Sequence, residues 1–264
     1  MTDYLTNTQK MSEQNLDPAA YRLKLLLGGP TGSGKSTALT TIPGKKLFLD
    51  TDGRKESLMG YPDVEVIDCY EPDPKSPTAW TKLEDIKKEI IAQVRQGKFP
   101  YTLVVEDGLS TLNRYCMNWA LLLNPARAMG GAPVEGHYGA HGVNLMNHIL
   151  GMIALPVHYA LTCHFNIVED GTKIIYTPKT WGKQLRTEIP TVFTEVWLAA
   201  RVKDAGEKAT YQIYTAPVGS YDFLKSALNK QEKFWKDPTI IDLDAKEPRG
   251  IAKLFEARFG SGRS

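Results

Sequence analysis

The sequence predicts an α/β fold: a mostly parallel central sheet flanked by helices, with antiparallel strands added at one edge. Three observations predict it. An apolar, strand-like run over 21–27 leads into Gly29-Pro30-Thr31-Gly32-Ser33-Gly34-Lys35-Ser36, and a short helical stretch over 36–41 follows before Pro43-Gly44. Strand, glycine loop, helix is the setting of a phosphate-binding P-loop, G-x-x-x-x-G-K-S. Strand-like and helix-like segments then alternate through about residue 165, which implies parallel strands joined by helical crossovers. Beyond that point short β runs follow one another, which implies antiparallel strands at one edge.

Residues 1–19 are rich in Thr, Asn, Gln and Asp and are expected to form a polar arm. After the P-loop, Lys45-Lys46-Leu47-Phe48-Leu49-Asp50 reads as a second buried strand, running into Thr51-Asp52-Gly53, and Val64-Glu65-Val66-Ile67-Asp68 as a third. Pro72, Pro74 and Pro77 mark a loop. Thr81-Lys82-Leu83-Glu84 has the form of a capping box. Leu83, Ile86, Ile90 and Val94 follow at helical spacing, with Gly97 where a C-cap belongs. Tyr101-Thr102-Leu103-Val104-Val105 is a buried strand ending in Glu106-Asp107-Gly108. Helices are expected over 111–123 and 138–155, separated by a small-residue loop over 126–136, and a further core strand over 157–162. Asp170-Gly171 signals a hairpin, and 192–201 with 209–215 an antiparallel pair. The expected division is an arm over 1–19, a core over 20–220 and a C-terminal helical extension over 221–264.

Composition narrows the function classes. The net charge of the 264 residues is only +2, so any nucleic-acid binding must come from local patches rather than a global basic field. Cys69, Cys116 and Cys163 are scattered and odd in number, which argues against a disulfide scaffold or a zinc ribbon. No apolar run reaches membrane-spanning length and no secretory h-region is visible, so no membrane association is expected.

The P-loop chemistry names its own residues. Backbone N–H groups over Gly29, Pro30, Thr31, Gly32, Ser33, Gly34, Lys35, Ser36 and Thr37 would curl around phosphate oxygens, proline lending only its turn. Lys35 would reach the β- and γ-phosphates, and the Ser36 hydroxyl would ligate Mg²⁺. Asp107, at the end of an apolar strand, is the carboxylate expected to complete the Mg²⁺ site. The water-orienting acid is Asp52, at the end of the strand after the P-loop helix, or Glu106; Asp52 is preferred because adjacent strand residues face opposite ways. Asp50 is placed to support Asp52, and His164, at the end of the 157–162 strand, is placed to sense the γ-phosphate. His137, His141 and His148 invite zinc, but no third ligand or H-E-x-x-H accompanies them.

Together the segment 29–36, Phe48-Leu49-Asp50-Thr51-Asp52-Gly53, Val104-Val105-Glu106-Asp107-Gly108-Leu109-Ser110 and Leu161-Thr162-Cys163-His164 occur in the order seen in RecA-like ATPases. Over residues 21–217 the chain resembles in particular the phage-encoded, single-domain RecA-type proteins associated with single-strand annealing and recombination. The resemblance implies a RecA-like P-loop NTPase core using ATP and Mg²⁺, and an ATPase that is slow and DNA-stimulated. Asp52 stands where such proteins usually carry a catalytic glutamate, and His164 where many carry a glutamine coupled to a DNA-binding loop. That loop would be 165–190, with Lys173, Lys179, Trp181, Lys183 and Arg186 as DNA contacts, and 126–136 a second DNA-facing segment. The implied partners are single-stranded DNA, further copies of the chain in a filament or ring, and a single-strand DNA-binding protein. The implied location is cytoplasmic, in the host if the chain is phage-encoded. Arg201 and Lys203 are candidates for a cation supplied to a neighbour's site. Two other readings compete: a nucleotide-gated adaptor or loader in a replication or packaging assembly, and a small-molecule P-loop kinase, for which no arginine-rich lid is evident.

Overall fold

The computed structural model describes residues 20–73, 76–124, 131–170, 173–203, 209–241 and 250–260. The expected arm over 1–19 and residues 126–130 of the expected 126–136 loop lie outside these residues. The P-loop strand β1 (Lys24–Gly28) is buried throughout and sits mid-sheet, between β5 (His158–Cys163) and β8 (Glu195–Lys203), parallel to both. Beyond β5 come β4 (Leu103–Asp107), β2 (Lys46–Asp50) and β3 (Val64–Asp68), all parallel. On the other side β9 (Ala209–Tyr214) and β11 (Thr239–Ile241) extend the sheet antiparallel, and β10 (Lys225–Ser226) also pairs with β8. The order β11-β9-β8-β1-β5-β4-β2-β3 is thus a parallel sheet with antiparallel strands added at one edge.

Strand alternation sorts the side chains into two cores. Leu26, Leu49, Val104, Tyr159 and Leu161 face one side, packed under α2 (Ala79–Arg95), α3 (Leu109–Leu122), α4 (Glu135–Ile153) and α5 (Lys183–Val192). Leu25, Leu27, Phe48, Val105 and Ala160 face the other, against α1 (Lys35–Thr40) and α6 (Ile251–Phe259). No helix among the described residues is long and apolar enough to cross a membrane. The three cysteines are buried and free.

Three local expectations meet a different arrangement. The 165–190 segment is not a loop: β6 (Phe165–Asp170) and β7 (Lys173–Pro178) form a separate hairpin, and α5 follows with Pro190 inside it. Residues 221–264 are not a purely helical extension, because β10 and β11 join the main sheet before α6 begins. The buried Glu195 carboxylate holds this segment in place, accepting from the Ala227 and Leu228 amides at 2.9 and 3.1 Å and from the Trp197 indole at 3.0 Å. Helix α2 starts at Ala79, ahead of the expected capping box, and Glu84 serves elsewhere. Its cap is the buried Glu71, whose Oε2 accepts from the amides of Thr78 and Ala79, each at 2.9 Å.

A carboxylate satisfying two amides at a helix start is a strong cap. Glu71→Ala is therefore expected to cost about 1–2 kcal/mol, seen as a lower urea midpoint at unchanged slope. Glu71→Gln keeps an acceptor and should lose less; an unchanged midpoint for the alanine variant would show that the cap contributes nothing.

Candidate nucleotide-binding site

Because β1, β5, β4 and β2 run parallel, their carboxyl ends share one rim. A cavity of about 220 Å³ opens there, lined by residues 31–37, Asp52, Arg54, Ser57, Asp107, Gly108 and residues 162–164. The P-loop, the Asp52 turn, the Asp107 strand end and His164 thus meet at one place. Gly29 and Pro30 lie behind the lining and turn their carbonyls to the Lys35 Nζ, each at 2.9 Å. The loop curls through Gly32 and Gly34, at φ of 73° and 81°, a region that β-carbons disfavour. Burial lowers the Lys35 pKa against the pull of Asp107 and Asp52, and the positive charge of Arg54 adds to the lowering.

Asp107 is the most heavily engaged group of the rim. Its Oδ2 accepts from the Ser36 hydroxyl and its Oδ1 from the Thr162 hydroxyl, each at 2.6 Å. Its carbonyl accepts from Thr51 Oγ1 at 2.8 Å. A serine hydroxyl against a carboxylate, with a threonine hydroxyl adjoining, is an all-oxygen set of the kind Mg²⁺ prefers. The donor chemistry fits the expected ion, which Ser36 and Asp107 would hold.

Asp52 lines the same cavity, and its Oδ1 accepts from the Thr111 hydroxyl. Asp50 supports it through the backbone: its Oδ1 accepts from the Asp52 amide at 3.2 Å. His164 Nδ1 donates to the Gly29 carbonyl at 3.1 Å. Burial, and then the nearby Lys35, lower its pKa.

Glu106 takes no part in this cavity. It faces the opposite side of β4, 1 % exposed, where its two oxygens accept from His148 Nε2 at 2.6 Å and the Tyr159 hydroxyl at 2.5 Å. His148 donates its other nitrogen, Nδ1, to Glu84 Oε1 at 2.5 Å. Of the two acids considered for orienting water, only Asp52 lines the cavity. A ring that donates from both nitrogens is an imidazolium. Burial alone would lower the His148 pKa, but the two carboxylates, Glu106 foremost, raise it to about 9. Burial raises the Glu84 pKa, yet His148 and Lys87 bring it down to about 2. His137 and His141 are separately committed, to the Val134 amide at 3.0 Å and the Asn113 side chain at 2.9 Å. Among the described residues no group of three His, Cys, Asp or Glu is arranged to hold a metal.

The expected DNA contacts do not form one loop. Lys183 and Arg186 line a cleft of about 700 Å³ between the β6–β7 hairpin and α5, together with Tyr176 and Phe223. Trp181 and Lys183 line a second, of about 550 Å³, between α4 and α5. Lys179 closes the hairpin root by donating its amide to the His164 carbonyl at 2.8 Å. Lys173 lies on β7, with its side chain outside the described residues. Sequence reasoning missed Thr162, Thr111, Arg54 and Ser57. Thr162 was legible in principle, since it lies two residues before His164 and so shares its strand face. The others sit in a turn or a helix where no periodic signal marks them.

This fold and this rim define a P-loop nucleotide-binding domain of the α/β class. A family model described as an AAA domain matches residues 22–221, and the chain belongs to that family. It is thereby an ATPase-type, nucleotide-binding domain. A search of curated proteins found no match.

The buried His148 pair makes stability depend on pH. Its folded-state pKa of about 9 exceeds the ordinary 6.5, so its contribution is complete below 6.5 and is lost as pH rises through 9. The loss is expected to be on the order of 3 kcal/mol. Urea midpoints measured from pH 6 to pH 10 should fall steeply in the native protein and less so in His148→Gln; parallel curves would contradict the ion pair.

Proposed function

We propose that the chain is a Mg²⁺-dependent RecA-like ATPase that binds single-stranded DNA and acts in recombination or strand annealing. The observation that carries this reading is the join between the phosphate loop and the β6–β7 hairpin. His164 holds the Gly29 carbonyl through Nδ1, while its own carbonyl holds the Lys179 amide at the root of the hairpin. Phosphate loop and hairpin therefore share one residue.

In this reading the loop amides and Lys35 hold the phosphates, Ser36 and Asp107 hold Mg²⁺, and Asp52 orients the attacking water. Bound Mg²⁺ would neutralise charge on the phosphate oxygens. His164, donating from Nδ1, has a lone pair at Nε2 in its neutral form. To donate to a phosphate oxygen it must take a second proton, which an adjacent phosphate anion would itself stabilise. Trp181, Lys179, Lys183 and Arg186, with Lys173 on β7, supply the stacking face and cations that a single strand needs. The same reading includes a phage origin, action in the host cytoplasm, assembly of several copies on DNA and work beside a single-strand DNA-binding protein.

One observation favours the slower alternative, a nucleotide-gated adaptor or loader. Asp52 is shorter than the glutamate of the resembled proteins, and its carboxylate is already engaged by Thr111. Such a protein would bind ATP and hydrolyse it slowly whether or not DNA is present.

Lys35→Ala is expected to weaken ATP binding roughly 10- to 100-fold, the worth of a charge-assisted contact, while Asp107→Ala should lose Mg²⁺-dependent turnover more than affinity. Calorimetry and steady-state hydrolysis separate the two, and retained affinity in the Lys35 variant would remove the site. For DNA, turnover should rise with single strands. Lys183→Ala or Arg186→Ala should each reduce the salt slope of binding by about one. Absence of both stimulation and salt-sensitive binding would leave the adaptor.

A further inference from the structure

Lys35 and Arg54 are the two basic side chains, histidine apart, that line the nucleotide cavity. Lys35 belongs to the motif, whereas Arg54 comes from the turn after β2 and has no role assigned so far. Its backbone is anchored. The Arg54 carbonyl accepts from the Ser57 amide at 3.2 Å and the Ser57 hydroxyl at 3.1 Å. This opens a 3-10 turn, Lys55–Leu58, whose Leu58 is buried in the core on the α1 side of the sheet. Arg54 is therefore tethered at a fixed distance from Asp52, two residues before it.

Its guanidinium makes no hydrogen bond or ion pair among the described residues. The acids of the rim are already engaged: Asp52 by Thr111, and Asp107 by Ser36 and Thr162. Arg54 instead stands near enough to Lys35 and His164 for its charge to act on both. Like charges gathered at a rim repel; Asp52 and Asp107 offset part of that repulsion at Lys35, and a bound anion would offset it further. An arginine is also the side chain whose planar fork meets two phosphate oxygens at once.

Resting on the nucleotide reading above, we infer that Arg54 binds the terminal phosphate of the nucleoside triphosphate from within the same chain. It lines the cavity together with Asp52 and His164, the residues assigned to the γ-phosphate, and its charge acts on His164. The pocket thus holds its own second cation. Arg201, considered above as a cation for a neighbour's site, is on the antiparallel edge, its guanidinium 6.0 Å from the Tyr211 ring.

The test compares ATP and ADP affinity, by calorimetry with Mg²⁺, in the native chain, Arg54→Ala and Arg54→Lys. Arg54→Ala should bind ATP at least tenfold more weakly with ADP affinity unchanged, and Arg54→Lys should recover part of the loss. Thermal melting should not change, since the side chain is exposed. A native chain that bound no triphosphate would overturn the nucleotide reading together with this one. A native chain that bound ATP, with Arg54→Ala binding it equally well or losing ATP and ADP alike, would overturn the Arg54 assignment alone. A second measurement tests the same-chain origin. Mixing Arg54→Ala, whose phosphate loop is intact, with Lys35→Ala, whose Arg54 is intact, should not restore tight ATP binding. Restoration would mean that Arg54 reaches into a neighbour's pocket, contrary to the assignment.

Discussion

The Asp107 carboxylate is the point through which the rim is held together. One oxygen takes the Ser36 hydroxyl at the start of α1 and the other takes the Thr162 hydroxyl near the end of β5. The residue's carbonyl takes Thr51 from the turn after β2. Three separate elements are thus referenced to one residue. A half-buried carboxylate needs such donors, because each lone pair left without one costs part of its desolvation. The hydroxyls that meet this need are also the ones that bring the phosphate loop beside the strand ends.

Placing Asp107 at the rim forces a second solution on the other side of β4. Adjacent strand residues point apart, so Glu106 must enter the core beneath α2, α3 and α4. An isolated carboxylate there would be prohibitive. His148 on α4 answers it with a full charge, held between Glu106 and Glu84, while Tyr159 donates to the remaining oxygen. One strand therefore carries a polar face that meets the nucleotide cavity and an internally neutralised face that locks two helices. The same three-residue link explains why Glu84 is unavailable as a cap. Glu71, reaching across from the loop after β3, does that work instead.

These details mark where the sequence can be read and where it cannot. The P-loop is legible because its residues are contiguous and their spacing is imposed by the phosphate. Asp52, Asp107 and His164 are legible because an acid or imidazole ending an apolar run must lie at a strand terminus. The α2 cap is not legible: Thr81 to Glu84 has the local form of a capping box, and the partner that overrides it, His148, is 64 residues away from Glu84. Pro190 reads as a helix stop, yet α5 carries it inside. Strands β10 and β11 are two and three residues long, too short for a periodic pattern, and exist because β8 and β9 offer edges to pair with. Arg54 is a single arginine in a turn, and only the convergence of β2 with the phosphate loop gives it a place.

The arrangement around Gly28 packs the phosphate strand directly against the hairpin. The Phe165 ring lies so close that a β-carbon at Gly28 would come within 1.8 Å of its Cζ, a spacing only glycine permits. On its other side Phe165 meets Tyr221 and Phe223, with ring centroids 5.4 and 5.2 Å away. Tyr221 is stacked on Tyr176 of β7 at 4.2 Å. A continuous aromatic chain therefore runs from the last residue of β1 to the second strand of the hairpin. Tyr176 and Phe223 also line the cleft between the hairpin and α5, so the same aromatic side chains border that cleft and reach back to the phosphate loop. The hydrogen bonds of His164, to the loop on one side and to Lys179 on the other, follow the same route. Two independent connections, one apolar and one polar, thus join the segment that would hold phosphate to the segment that carries the cations.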